Sequence, residues 1–135
     1  MAGYSATPLW KKLGYVGGVR VWVVGSPRGY TKLLTLPPAV KVTWLKGPEA
    51  GMKFVHLFAS EASALQRQLA SLRREIAADG VVWVSWPKKA SGVTTDITED
   101  TIRQLALPLG FVDIKVCAVD ETWSGLKLMI RRTER

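Results

Sequence analysis

Scarcity says much about this sequence before any motif does. Its 135 residues include one cysteine, Cys117, and one histidine, His56. A single thiol excludes a disulfide framework within one chain. One thiol and one imidazole also exclude the usual single-chain zinc sites, built from four cysteines, two cysteines with two histidines, or three histidines. Apolar runs are short, and none approaches the ~20 residues needed to span a bilayer. The opening segment MAGYSATPLWKKLG lacks a charged stretch followed by a long apolar one, so no secretory signal is expected. The lone thiol suits a reducing compartment. The expectation is a cytoplasmic protein with no membrane partner and no metal site. Acid is scarce in one region: residues 1–53 hold Glu49 alone against eight Lys and Arg.

What is present describes a globular chain. Hydrophobic residues make up 47% and charged residues 22%, the balance of one folded domain. A chain of this length buries roughly two-thirds of its unfolded surface, enough for a core without covalent staples. The net charge of +8 is unevenly placed, with +7 in residues 1–53, +2 in 54–90 and −1 in 91–135. A basic half favours an anionic partner such as a phosphate, nucleotide or nucleic acid. The bases are scattered with no run longer than two, which weighs against nucleic acid.

The hydrophobic pattern alternates between strand and helix. Residues 1–18 read as a lead-in, with Pro8 opening a short helix closed by Gly14; residues 19–135 read as a single domain. Strands are expected at 19–24, 40–45, 53–58, 81–85, 112–119 and 126–131. Val21 to Val24 and VVWVS are apolar on both faces, as in buried parallel strands. A short helix is expected near 28–35. A long one, capped by Ser60, presents Leu65, Leu69, Leu72 and Ile76 on one stripe and ends at Asp79-Gly80. Another begins at Asp96 or Thr98 and stops at Gly110; Asp96 and Glu99 have capping-box spacing. The last two strands form a hairpin around DETWSG. Together these give an α/β, three-layer, Rossmann-like sheet ending in an antiparallel hairpin.

From residue 53 the order is strand, long helix, strand, loop, helix and hairpin. This resembles the C-terminal half of class I S-adenosylmethionine (SAM) methyltransferases, over about 80 residues. GYSATPLWKKLG, WVSWPKKASG and ALPLGFVDIKVCAVDETWSGLKLMIRR resemble, more specifically, a bacterial family of short proteins classed only as a domain of unknown function. That second resemblance implies a Rossmann-like fold and no assigned activity. The methyltransferase resemblance implies an acid and a Gly-rich turn after the first strand, and a second acid after the next strand for the ribose hydroxyls. Here those places read Val24-Gly25-Ser26-Pro27-Arg28-Gly29 and Leu45-Lys46-Gly47. A cation is the wrong partner for a diol and a suitable one for a phosphate. Only seven residues, Lys46 to Met52, join two expected strands, where a helical crossover needs at least ~10–12. Either a strand–helix unit is missing or strand 40–45 runs antiparallel.

Ligands on such sheets sit beyond the C-terminal ends of the strands. Three loops are expected there: Gly25–Tyr30, Ser85–Asp96 and Asp120–Gly125. The first is an anion cradle at a strand-to-helix turn, or a plain tight turn. The second places Lys88, Lys89 and Ser91 beside Trp86, as an anion clamp with a stacking wall or as a solvated loop with Trp86 closing the core. Asp120 and Glu121 in the third are expected to pair with Lys88 or Lys89, since carboxylates near lysines stay ionised. His56 and Cys117 lie within strands and read as core residues. Trp22, Trp44 and Trp83 read the same way. No nucleophile–base pair is legible, so no catalytic residue and no cofactor is assigned. The ligand-contact candidates are Gly25, Arg28, Lys88, Lys89, Ser91 and Trp123. The function expected is binding of a small anionic or nucleotide-like ligand. The alternatives are a divergent SAM-dependent methyltransferase, a nucleic-acid-binding module and a protein-interaction module.

Overall fold

A computed structural model describes residues 7–135; the first six residues of the expected lead-in lie outside that range. Six strands form one sheet: β1 (Val19–Val24), β2 (Val42–Trp44), β3 (Met52–Phe58), β4 (Ile76–Pro87), β5 (Phe111–Ala118) and β6 (Trp123–Ile130), in the order β2-β1-β3-β4-β6-β5. The first four run parallel, and β6 lies antiparallel between β4 and β5. Helices α1 (Leu9–Leu13) and α2 (Tyr30–Leu34) cover one face; α3 (Ala62–Glu75) and α4 (Glu99–Ala106) cover the other. The three-layer sandwich with its terminal hairpin is therefore present. Among the described residues, no helix is long and apolar enough to cross a membrane.

Strand alternation sorts the core into two halves. Val55, Leu57, Val82, Val84, Leu126 and Leu128 point toward α3 and α4. Leu65, Leu69 and Leu72 of α3 meet them at 0%, 0% and 1% exposure. Each buried leucine contributes about 1.5–3 kcal/mol, which holds a helix that would be marginal alone. Phe54, Phe58 and Trp83 point the other way, onto Leu9, Leu13, Tyr15, Tyr30 and Leu34. Segment 9–15 thus seals the second face. Gly14, in the left-handed conformation at φ 94°, closes α1 as expected.

Strand β2 runs parallel to β1, pairing Val42–Trp44 with Val19–Val21. The shortened connection therefore lacks a strand–helix unit, and residues 45–51 cross β1 as a bare strap. Strand β3 pairs with the other half of β1, Trp22–Val24 against Val55–Leu57. Several local expectations are corrected. Helix α3 ends at Glu75, and Asp79-Gly80 lies inside β4. There Gly80 passes so close to the β3 backbone that a Cβ would stand 2.9 Å from the Met52 carbonyl oxygen. Ser60 does not cap α3; the Asp96 carboxylate, 34 residues away, accepts the Ala62 N–H at 2.8 Å. Asp96 is thus no partner of Glu99, and the capping box of α4 is Thr98 with Thr101. Trp44, read as core, is 40% exposed because β2 is an edge strand of three residues.

Candidate functional site

The parallel strands end at Val24, Trp44, Phe58 and Pro87. The three loops expected beyond this edge converge there. The loop after β4 is laced to the hairpin turn: the Lys88 N–H donates to the Thr122 carbonyl at 2.7 Å, and Lys88 Nζ donates to the Asp120 carbonyl at 2.6 Å. Trp123 opens β6 opposite Pro87 and meets the Phe58 ring edge-on, with centroids 5.1 Å apart. Gly25 closes on the same residue. At φ 70° a Cβ there would lie 2.9 Å from the Phe58 carbonyl oxygen, so only glycine fits. Gly25, Lys88 and Trp123 are thus brought into one neighbourhood around Phe58 and the hairpin turn.

The remaining candidates divide. Ser91 Oγ donates to the Lys88 carbonyl at 2.7 Å and accepts the Val93 N–H, so it shapes its own 3₁₀ turn. Arg28 and Lys89 are exposed and have no ion-pair partner among the described residues. The expected pairing of Asp120 with Lys88 is corrected. Lys88 meets the carbonyl, while the Asp120 carboxylate accepts the Thr122 and Trp123 N–H groups, each at 2.8 Å, in a local turn. Trp86 is 8% exposed and belongs to the aliphatic core, so it is no stacking wall. Helix α2 has only five residues behind Gly29, too few for a helix dipole of consequence.

Beneath this edge lies a polar chain that sequence patterns gave no sign of. Tyr15 and Tyr30 share a hydrogen bond at 2.8 Å, Tyr30 bonds His56 Nδ1 at 2.8 Å, and His56 Nε2 bonds Ser85 Oγ at 2.7 Å. His56 and Ser85 are fully buried. Burial drives the imidazole pKa down to about 3, so His56 is neutral at pH 7 with both ring nitrogens bonded. Burial also lifts the Tyr15 phenol to about 12 and raises Tyr30. Across the same core, Trp83 Nε1 donates to the Leu13 carbonyl at 2.8 Å. No buried side-chain polar atom among the described residues lacks a partner. His56 is a satisfied core residue, as expected, and Cys117 is only partly buried.

Cavities lie away from the loops. One of 570 Å³ opens at the opposite edge, between Val19, Met52, Phe54 and Val81, where β1 and β3 have not yet begun to pair. One of 310 Å³ lies between Trp22, Pro48 and Leu57 and the α3 residues Arg67, Ser71 and Glu75, beside the strap. Among the described residues, no cluster of His, Cys, Asp and Glu is arranged to hold a metal ion.

No family model matches the sequence, and no curated protein matches it significantly. Solved structures do match. A SAM-dependent methyltransferase from Aquifex aeolicus has a TM-score of 0.63 at 14% identity, covering 89% of this chain and 86% of its own. A TehB-like SAM-dependent methyltransferase from Corynebacterium glutamicum has a TM-score of 0.58 at 12% identity, covering 96% and 91%. The fibrillarin pre-rRNA processing protein of Methanococcus jannaschii has a TM-score of 0.58 at 8% identity, covering 96% and 71%. At these identities the likeness is one of fold: the chain has a methyltransferase-like, Rossmann-like architecture.

The two acids that the methyltransferase resemblance implies for SAM are absent from the edge this chain presents. The ends of β1 and β2 carry no carboxylate, and the turn after β1 is shut against the Phe58 backbone. Asp96 and Asp120, nearby in the loops, are already engaged by backbone amides.

Proposed function

We propose that this methyltransferase-like domain binds a small anionic or nucleotide-like ligand at the C-terminal edge of its parallel strands, and that it does not use SAM. We also read it as a member of the bacterial family of short proteins that its WVSWPKKASG and hairpin segments resemble. One observation carries the ligand reading. Among the described residues, Arg28 and Lys89 stand at the converging loops without an ion-pair partner, while Asp96 and Asp120 are engaged by backbone amides and Glu121 is the one free carboxylate of the three loops. An edge with that balance favours a phosphate or carboxylate over a sulfonium cation. Trp123, half-buried with the Phe58 ring behind it, supplies an aromatic surface beside it, and the Lys88 bonds hold the two loops in one geometry.

A thermal-shift comparison of nucleotides, coenzyme A, SAM and S-adenosylhomocysteine (SAH) tests this. A ligand at 100 times its dissociation constant stabilises by about 2.7 kcal/mol, several degrees for a domain of this size. The expected result is a shift with phosphate-bearing ligands, lost in an Arg28→Ala/Lys89→Ala variant, and none with SAH. A shift with SAH would overturn the reading in favour of a methyltransferase. Binding by nucleic acid alone would replace the small ligand with a macromolecular partner.

A further inference from the structure

The face of the hairpin turned toward α1 carries a second concentration of charge. In the β5–β6 ladder Lys115 stands directly opposite Lys127. Like charges so placed destabilise a strand pair. Lys12, in the last turn of α1, joins the group: α1 packs through Leu9 and Leu13 onto the cluster that Cys117 borders, Cys117 lies two residues along β5 from Lys115, and the charges of both lysines pull on its thiol. None of the three lysines has an ion-pair partner among the described residues. Burial and the neighbouring Lys115 charge lower the pKa of Lys127. Burial raises that of the Cys117 thiol against the pull of the two lysines.

Protection of a sheet edge accounts for only part of this. A lysine on an edge strand blunts pairing with other chains, and β5 is an edge strand, with Ile114 and Val116 47% and 46% exposed. That explains Lys115. It does not explain Lys127, which sits on the inner strand β6, or Lys12, which sits on a helix. Three ammonium groups on one face, two of them in direct repulsion, are neutralised together by one multivalent anion.

We propose that Lys12, Lys115 and Lys127 form a binding site for a phosphate-bearing polyanion, on a face distinct from the loop edge. The site stands or falls apart from the reading above, because none of its residues belongs to that edge. Phosphate of this kind comes as a free polyphosphate or as the backbone of a nucleic acid. A compact site on two strands and one helical turn fits a chain of two or three phosphoryl groups.

Calorimetric titration of the full-length protein with inorganic tripolyphosphate tests the proposal. Saturable binding is expected, weakened about tenfold by either Lys115→Gln or Lys127→Gln, the loss expected for about 1.4 kcal/mol of charge contact. Arg28→Ala/Lys89→Ala leaves it unchanged if the two sites are separate. Cys117, the only cysteine, serves as a local reporter. In the free protein it should react with anionic iodoacetate faster, relative to neutral iodoacetamide, than a simple thiol does. Tripolyphosphate should abolish that preference, and sodium chloride at equal ionic strength should not. A labelled single-stranded oligonucleotide in place of tripolyphosphate identifies the source: tighter binding with a steep salt dependence marks a nucleic-acid backbone. No saturable binding, or equal loss of the preference in sodium chloride, would overturn the proposal. Melting temperatures at or above wild type show that the lysine variants are folded, because each removes a repulsion.

Discussion

The two faces of the sheet are built by different means. Under α3 and α4 the core is aliphatic apart from Trp86 and Phe111, and its buried contacts are apolar. Under α1 and α2 the core is rich in aromatic residues, and a chain of hydrogen bonds runs through it from Tyr15 to Ser85. Helix length explains the contrast. Fourteen residues of α3 present a continuous stripe, whereas α1 and α2 have five residues each. Helices so short cannot persist on propensity. They are fixed instead by directional contacts, Trp83 to the Leu13 carbonyl and Tyr30 to His56. One face is held by area, the other by geometry.

Substitutions can break that contrast, and the largest effect is expected on the aliphatic side. Leu69→Ala should cost about 2–5 kcal/mol by leaving a cavity under α3, measured by urea denaturation. The polar side should give less per residue. Tyr30→Phe removes one hydroxyl and leaves both Tyr15 and His56 short of a partner, an expected loss of about 1–3 kcal/mol. Combined with Ser85→Ala, the two losses should fail to add, because both residues act through His56. Strict additivity in that cycle would show that the chain is no unit. A smaller and more specific effect is expected from pH. The folded pKa of His56, about 3, lies below the ordinary 6.5. Between those values the unfolded chain holds the proton and the folded chain does not. Stability from this residue is therefore complete above pH 6.5 and falls as pH drops toward 3. The slope is on the order of 1 kcal/mol per pH unit. His56→Gln should flatten that slope in denaturation curves taken from pH 7 to pH 4.

The same contrast decided how much could be read in advance. Leu65, Leu69 and Leu72 advertise α3 by spacing alone, and VVWVS advertises a strand buried on both faces. The polar chain joins residues 15, 30, 56 and 85, and only the register of β3 on β4 sets His56 next to Ser85. No local pattern carries such a link. The loop candidates were legible as a group because topology sends all three loops to one edge. Their individual partners were not: Lys88 reaches a carbonyl where a carboxylate was expected, and Asp96 caps a helix 34 residues earlier. The lysines at 115 and 127 lay in plain view, but their opposition depends on a register shift between Asp113 and Lys115 that spacing does not announce.

The strap over β1 sets an order in time. Strand β2 is held by a three-residue ladder and followed by seven residues without a helix, while β3, β4 and β6 sit in the middle of the sheet with partners on both sides. Amide protons on β2 should exchange through frequent local openings, while those of the central strands wait for the whole molecule to unfold. Each such opening uncovers one side of β1 and leaves its pairing with β3 intact. The strap also carries Glu49, the one acid of residues 1–53, so each opening loosens its ion pair with Arg20 of β1 and leaves that half of the chain without a counter-charge.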